Sequence, residues 1–527
     1  PCNNGGEMSA TEATSPRPAL LPARPLSREA MMLAALVLLG AAASAVCLAL
    51  TVKLSFLEFF PGEYGTSIFL PQMIPDWQTA VAAFALAYVA LLVVWALVLR
   101  AISSDETGSG YTRFLIFAFP LAFVVILSFM YPPWSLDFVH NVSDGRTLWL
   151  YGDNPMVAPP HDNPFPVLQY WGHLPAPYGP LWFTLLFPVL LAGESAEAAL
   201  HVVKLYQGLF YLGTAALIYL IAKRLTPGRE LFAFALYAWN PFVFLRVVGN
   251  GHNDLTMLFF VVLALWLLLE RRWRWAIVAL AASALVKYAT LMLGPALLLW
   301  AYWSFEDKGL FWRETGIGVG LSLLLTVGLF AWFYDGLDTF DSVRNQSELL
   351  ANSPAHLLAA YLVFDGWSID RATELARWLS YGAFAVIYPL TLVVLWRSGR
   401  TAIELVAVLG LTFLGYLAVG SVWYQPWYLV WPLTLFVLVP GRWAVALCVA
   451  LTIGGLIPDF VMWYGTKLEL LRDHHLWRIA LVIGTGFVPA ALVMCWGWLT
   501  YRRALPVGEP SQPTATLVER REAMASR

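Results

Sequence analysis

QTAVAAFALAYVALLVVWALVLRAI, residues 78–102, carries a single charged side chain, Arg100, close to its end. A helix needs about 20 consecutive, mainly apolar residues to cross the hydrocarbon core of a bilayer, and this stretch supplies them with no polar face. It reads as a transmembrane helix and not as one side of a soluble core. Ala30 to Val52 and Thr315 to Phe333 read the same way. Of the 527 residues, 59% are apolar and 13% charged, against roughly 45 to 50% and 25% in soluble domains, which excludes a water-soluble protein. The first run lacks a small-residue cleavage site, so it is expected to remain as a helix and not to be removed as a signal peptide.

The formal charge of −2 is the remainder of segregated basic and acidic loops and argues against a nucleic-acid partner. Cys47, Cys448 and Cys495 lie in apolar runs and Cys2 in the leader, so no disulfide framework and no CxxC metal site is expected. Basic residues beside spans mark the cytoplasmic side. They occur at Arg24 and Arg28, Arg100 and Arg113, Lys223 to Arg229, Arg271 to Arg274, Lys308 and Arg313, Arg397 and Arg400, Arg442, and Arg502 with Arg503. The alternate connections are acidic, aromatic or His-rich: Glu58 and Glu63, Tyr131 to Tyr178, Asn250 to Asp254, Asp335 to Glu374, Val422 to Tyr428, and Gly465 to His475.

A cytoplasmic amino terminus puts all of these outside, provided that one of two apolar segments, Pro180 to Gly193 and His201 to Ala222, does not cross. The first is short, contains Pro188 and is followed by Glu194 and Glu197, so it is expected to be re-entrant or interfacial. The expectation is an all-α polytopic bundle of about 14 transmembrane helices with external loop helices and both termini cytoplasmic. Its parts are an expression remnant and disordered leader (1–29), two amino-terminal spans (30–112), a transmembrane core (113–505) with an external loop (132–178), and a disordered tail (506–527).

Four polar constellations interrupt this pattern. In the external loop, a helix beginning at Asp137 would put Asp137, His140 and Asp144 on one face, with Arg146 one position round. A solvated loop helix is the plain reading; the length of the loop and its Trp and Pro content favour packing against the bundle. Gly249-Asn250-Gly251-His252-Asn253-Asp254 breaks two apolar runs beyond Asn240-Pro241 and Arg246. A turn accounts for the glycines, but ionisable groups at a bilayer edge usually mark a site. Lys287 sits inside an apolar stretch about 18 Å from Trp275 at 1.5 Å per residue; a snorkelling lysine is the plain reading, yet an ammonium at that depth needs an anion. Val422-Trp423-Tyr424-Gln425-Pro426-Trp427-Tyr428 is explained as an aromatic belt, while Gln425 between rings also suits a sugar platform. The two Asn-x-Ser matches, at Asn141 and Asn345, are short patterns with a high chance rate and carry no weight.

Together these residues resemble the GT-C superfamily of integral membrane glycosyltransferases, more narrowly the bacterial polyprenol-phosphate-mannose-dependent mannosyltransferases. Asp137 through Asp144-Gly145-Arg146 to Gly152-Asp153-Asn154-Pro155 is similar to that family's Asp, Asp-Gly-Arg and Gly-x-Asn-Pro pattern. Pro177-Tyr178-Gly179-Pro180 is similar to its Tyr-Pro-Pro, Asn240-Pro241 and Gly251-His252-Asn253-Asp254 to its Asn-Pro and Gly-His-x-Asp, and Lys287 to its lysine. Gly179, Met156 and Arg246 depart from it.

The resemblance implies an inverting transfer of a hexose, with mannose favoured, from a polyprenyl-phosphate-sugar donor to an acceptor hydroxyl of a glycan, glycolipid or protein, at the external face of the plasma (inner) membrane. Asp137 would be the base, able to take the acceptor proton as the oxygen attacks C1. The donor phosphate would be held by Lys287, Arg246 and Arg344. Sugar or acceptor would meet His140, Asp144, Arg146, Asn154, Tyr178, Asn250, His252, Asp254, Trp423, Gln425 and Trp427. No nucleotide motif is present or required. No cofactor is expected with certainty, although Asp137, Asp144, His252 and Asp254 offer ligands for a divalent metal without diagnostic spacing. The alternative is a lipid or sugar transporter or flippase, which would place polar residues at the midplane from both sides.

Overall fold

The structure, a computed structural model, describes residues 27–54, 76–103, 109–135, 137–160, 173–397, 400–465 and 474–504. Arg24, Glu58, Glu63, the stretch 466–473, most of the leader and the tail lie outside these residues, and with them the expectations placed there.

Three apolar helices, α1 (Arg28–Lys53), α2 (Trp77–Ser103) and α3 (Gly110–Leu127), lead to α4 (Asp137–Trp149). Then come α5 (Pro180–Leu185) with a 3-10 turn (Phe187–Ala192), α6 (Ala196–Leu225), and α7 (Glu230–Ala238), which continues past Asn240-Pro241 as a π-helical stretch (Phe242–Val248). The middle of the chain forms α8 (Asp254–Leu269), α9 (Trp273–Ala284), a 3-10 segment (Tyr288–Leu293), α10 (Gly294–Ser304) and α11 (Lys308–Phe333). Two short helices, α12 (Asp341–Glu348) and α13 (Pro354–Phe364), precede α14 (Ile369–Arg397), α15 (Ala402–Gly415), α16 (Val430–Phe436), α17 (Arg442–Asp459) and α18 (His475–Ala504). Among the described residues there is no strand; an isolated bridge pairs Ala351 with Trp423. An all-α polytopic membrane protein is thus what the chain forms.

Local chemistry fixes several helix starts. A helix leaves its first N–H groups without partners, and a side-chain oxygen can take them. Ser27, Ser109 and Ser195 cap α1, α3 and α6, Asp307 caps α11, and Thr401 with Glu404 forms a capping box on α15. Buried indole N–H groups tie helices together: Trp95 Nε1 donates to Ala235 O at 3.3 Å and Trp239 Nε1 to Ile116 O at 3.0 Å. α11 and α14 instead keep most of their apolar side chains on the outside, as a lipid-facing helix does.

Nine helices among the described residues are long and apolar enough to cross a membrane, ten if α7 and the π-helical stretch, bent by 41°, make one span. The expectation of about 14 rested on apolar runs, and several of these are broken. α8 and α9 are apolar but shorter, and the run containing Lys287 divides at Lys287, whose backbone is extended between α9 and the 3-10 segment. The Lys287 ammonium therefore does not stand on the side of a continuous span; it projects from a break. Pro180–Ala192 is likewise two short pieces. They pack under α4: Trp149 Nε1 donates to Phe183 O at 3.0 Å and Trp182 Nε1 to Asn141 Oδ1 at 3.3 Å.

α4 is the loop helix on which the site depends. Phe138, Val139 and the whole of Asn141 to Leu148 are buried, so it is a packed element and not a solvated one. At the other end of α8, about 24 Å away at 1.5 Å per residue over its 16 residues, Glu270 pairs with Arg224 at 2.6 Å. Nearby on α9 and α11, Arg274 makes two 2.6 Å bonds to Glu314. These two ion pairs mark this end, opposite the first residue of α8.

Candidate active site

That first residue is Asp254. Its carboxylate is fully buried, and Oδ1 accepts from Lys287 Nζ at 2.9 Å and from Trp431 Nε1 at 2.6 Å. The anion that Lys287 requires is therefore supplied from α8. Lys287 Nζ also lies 5.1, 5.6 and 5.9 Å from the ring centres of Tyr428, Tyr178 and Trp431, close enough for a cation–π attraction.

Glycines bring the pieces together. Gly179 N donates to Val286 O at 3.2 Å, and a Cβ at 179 would overlap the Leu285 carbonyl. Glycine at this departure from Tyr-Pro-Pro is what lets Tyr178 reach the Lys287 ammonium. Gly251 has φ +61°, in the left-handed region that favours glycine, and a Cβ there would overlap the Phe138 ring. Phe138 seated on that glycine draws the start of α4, and so Asp137, to the Gly251-His252-Asn253-Asp254 turn.

Asp137 and His140 line a cavity of about 230 Å³ together with Tyr178, Trp423, Gln425 and Trp427. Lys287 lines a second cavity, of about 390 Å³. The two share Pro177, Tyr178, Gln346, Trp423 and Tyr428 as walls. Burial pushes the Asp137 carboxyl above its ordinary value; Lys287 pulls it down, Asp254 pushes it up, and a bond with Ser135 and the more distant Arg246 lower it. Burial also depresses the His140 imidazole to about 4, leaving it neutral near pH 7.

Several other expected site residues line neither cavity. Arg246 is fully buried and gives Asp459 two bonds, 2.5 Å from Nε and 2.9 Å from Nη2, while Nη1 stands 3.2 Å from His252 Nε2. It lines neither cavity, and its charge is matched by Asp459. His252 stacks on Trp427, centroids 4.4 Å apart and planes at 18°, so it backs the cavity wall and does not face the cavity. Arg344 is exposed on α12 and lines neither cavity.

Asn250 is spent on backbone, accepting from Trp134 N at 3.0 Å and donating to Arg246 O at 2.7 Å. Asn154 is spent likewise, donating to Phe333 O at 2.6 Å and accepting from Met156 N at 3.0 Å. Arg146 is buried with Nη1 3.4 Å from Gly193 O and Nη2 3.4 Å from Tyr151 Oη. Asp144 is buried, 3.8 Å from His140 Nε2, and burial raises its carboxyl well above the usual range. Among the described residues no three His, Cys, Asp or Glu side chains gather to hold a metal ion, so Asp137, Asp144, His252 and Asp254 do not form a ligand set.

Sequence reading missed Asp459, Trp431 and the α12 residues on the cavity. Asp459 had a signal: a lone carboxylate in an apolar run needs a counter-charge, and Arg246 was the lone cation in another.

Residues 30–303 match the family model described as alpha-(1->6)-mannopyranosyltransferase, N-terminal domain. The chain belongs to this family. The match covers more than half of the chain, begins within the first turn of α1, and contains Asp137, Tyr178, Asp254 and Lys287. The mannosyltransferase is therefore a glycosyltransferase embedded in a membrane, acting between a sugar donor and an acceptor, as the resemblance to integral membrane mannosyltransferases implied. No curated protein matches the chain. The matched region ends before α12 and the 423–431 segment, so residues on both sides of its limit enclose the mannosyltransferase's cavities.

Proposed function

We propose that this mannosyltransferase moves mannose from a polyprenyl-phosphate donor to an acceptor hydroxyl with inversion at C1, on the membrane face opposite the basic loops, which is the external face. The observation that carries this reading is the pair of cavities sharing the Tyr178 wall, one holding the Asp137 carboxyl and the other the Lys287 ammonium. A reaction that takes a proton from one partner while a phosphate leaves the other needs a base and a cation a short distance apart.

In this reading the acceptor oxygen attacks C1 and gives its proton to Asp137. The bond from C1 to the phosphate oxygen breaks with its electron pair, and Lys287 offsets the charge gained by the phosphate. Asp254, held by Trp431, keeps the ammonium aimed from a helix break. An inverting transfer that makes the α-linkage in the family's name requires a β-linked donor. A lipid phosphate suits a site at the end of a helix bundle.

The test is transfer by the purified, reconstituted protein from β-mannosyl phosphopolyprenol, from the glucosyl analogue and from GDP-mannose, with the product anomer read by NMR. An α-mannoside made from the β-mannosyl lipid, with the other two inactive, is expected. Efficient use of GDP-mannose, or a β-linked product, would overturn the reading.

A further inference from the structure

α12 lies outside the matched region, yet it forms one wall of the Asp137 cavity. Ser342, Asn345 and Gln346, with Leu349 just beyond the helix, line that cavity. They stand at i, i+3, i+4 and i+7, one face of a helix. Asn345 and Leu349 are exposed as Asp341, Arg344 and Glu348 are, but the last three line neither cavity. The helix is pinned where it lies: Ser342 Oγ donates to Ala176 O at 3.1 Å, next to the Pro177-Tyr178 wall, and Tyr381 Oη donates to Ser347 O at 3.4 Å. Among the described residues neither the Asn345 nor the Gln346 carboxamide is taken up by a protein partner.

The chemistry of the lining narrows the ligand. Asp137 is the one acidic side chain among the described residues that line the cavity, no Lys or Arg lines it, and His140 is neutral near pH 7. What remains is carboxamides, from Asn345, Gln346 and Gln425, and rings, from Tyr178, Trp423, Trp427 and Tyr428. A carboxamide both donates and accepts, as a sugar hydroxyl does, and aromatic faces pack the apolar C–H face of a pyranose. A phosphorylated or acidic sugar would find no cation here.

We propose that α12 reads the acceptor: the Asn345 and Gln346 carboxamides hold the ring hydroxyls of a neutral mannoside whose free hydroxyl is presented to Asp137. This rests on the reading of Asp137 as the base, which makes its cavity the acceptor side. Asn345 lines that cavity and not the Lys287 cavity, so it belongs to the acceptor. Gln346 lines both and stands where acceptor and donor sugar meet.

The experiment uses the full chain in nanodiscs and the water-soluble methyl α-(1→6)-mannobioside, with binding followed by calorimetry and transfer measured separately. Asn345→Ala is expected to raise the Kd for the mannobioside about tenfold, the scale of one lost hydrogen bond, with the donor KM unchanged. Adding Gln346→Ala should weaken binding further and raise the donor KM, while Glu348→Ala leaves both alone. Melting temperatures equal to wild type would show that α12 still folds. A wild type that does not bind the mannobioside, or a double variant that binds it as wild type does, overturns the proposal. Intact mannobioside binding with no turnover of the lipid donor would instead overturn the donor reading and leave α12 as a mannoside site.

Discussion

Asp137 has to be ionised to act, and its surroundings oppose that. Burial raises its carboxyl above the ordinary value of about 3.9, and Lys287 is the largest influence pulling it back. Since the active form is the carboxylate, turnover should fall as pH drops through this raised pKa, at a higher pH than an exposed aspartate would give. His140, depressed to about 4, should add no inflection near its ordinary 6.5. In Lys287→Met the cation that lowers the Asp137 pKa is gone, so the acid limb of kcat/KM should move to higher pH; a limb that stays put would show that the two groups do not sense each other. Asp137→Asn keeps the shape and loses the base, and should cut turnover about 100- to 10,000-fold with donor binding kept. A well-folded Asn variant that still turns over would move the base elsewhere. Lys287→Met should also weaken affinity for the polyprenyl-phosphate donor, with Lys287→Arg partly tolerated because its wider planar head keeps the charge. Unchanged affinity in the Met variant would leave Lys287 as the counter-ion of Asp254 alone. Asp137, Asp254 and Lys287 were legible as candidates in the sequence because ionisable groups are costly in or near a membrane and stand out there. Their partners were not: nothing local to Asp254 indicates that Trp431, 177 residues along the chain, donates to it.

The elements are joined by contacts that sequence shows only as isolated oddities. Arg246, on the π-helical stretch after α7, and Asp459, at the end of α17, are 213 residues apart and form a fully buried two-bond pair. The Arg246 guanidinium carbon also lies 4.9 Å from the centre of the Trp427 ring, the ring on which His252 stacks. Removing one partner of a buried pair leaves an unmatched charge and costs about 3 to 5 kcal/mol, whereas replacing both with apolar residues of similar size is often near neutral. Asp459→Ala should therefore lower the melting temperature sharply and disturb Trp427, and Arg246→Met with Asp459→Leu should recover most of the stability. A double variant as unstable as Asp459→Ala would show that the pair is held for more than charge balance. Arg246 read as a phosphate ligand in the sequence because its carboxylate lay in a distant apolar run. Asn154 and Asn250 read as sugar ligands for a similar reason: a side chain committed to backbone cannot be told from a free one until the fold closes.

At the scale of the molecule, the alternation of basic and aromatic connections predicts two unlike ends. Arg224 pairs with Glu270 and Arg274 with Glu314 at one end of α8 and α9, and Asp254, Lys287 and the cavities lie at the other. The number of spans was less legible, because hydropathy counts apolar residues and does not see the breaks that Lys287 and the prolines make. Basic loops stay in the cytoplasm, so the cavities should open outside the cell. Asp341, exposed on α12, and Arg272, exposed between α8 and α9, report on the two ends. Cys47 and Cys448 are buried and Cys495 is exposed, so Cys2 and Cys495 are first replaced by Ser. Asp341→Cys should then react with a membrane-impermeant thiol reagent in intact cells, and Arg272→Cys only after the membrane is opened. The reverse pattern would put Asp137 and Lys287 on the cytoplasmic side, and the mannosyl donor would have to be met there, before any lipid-linked sugar had been carried across.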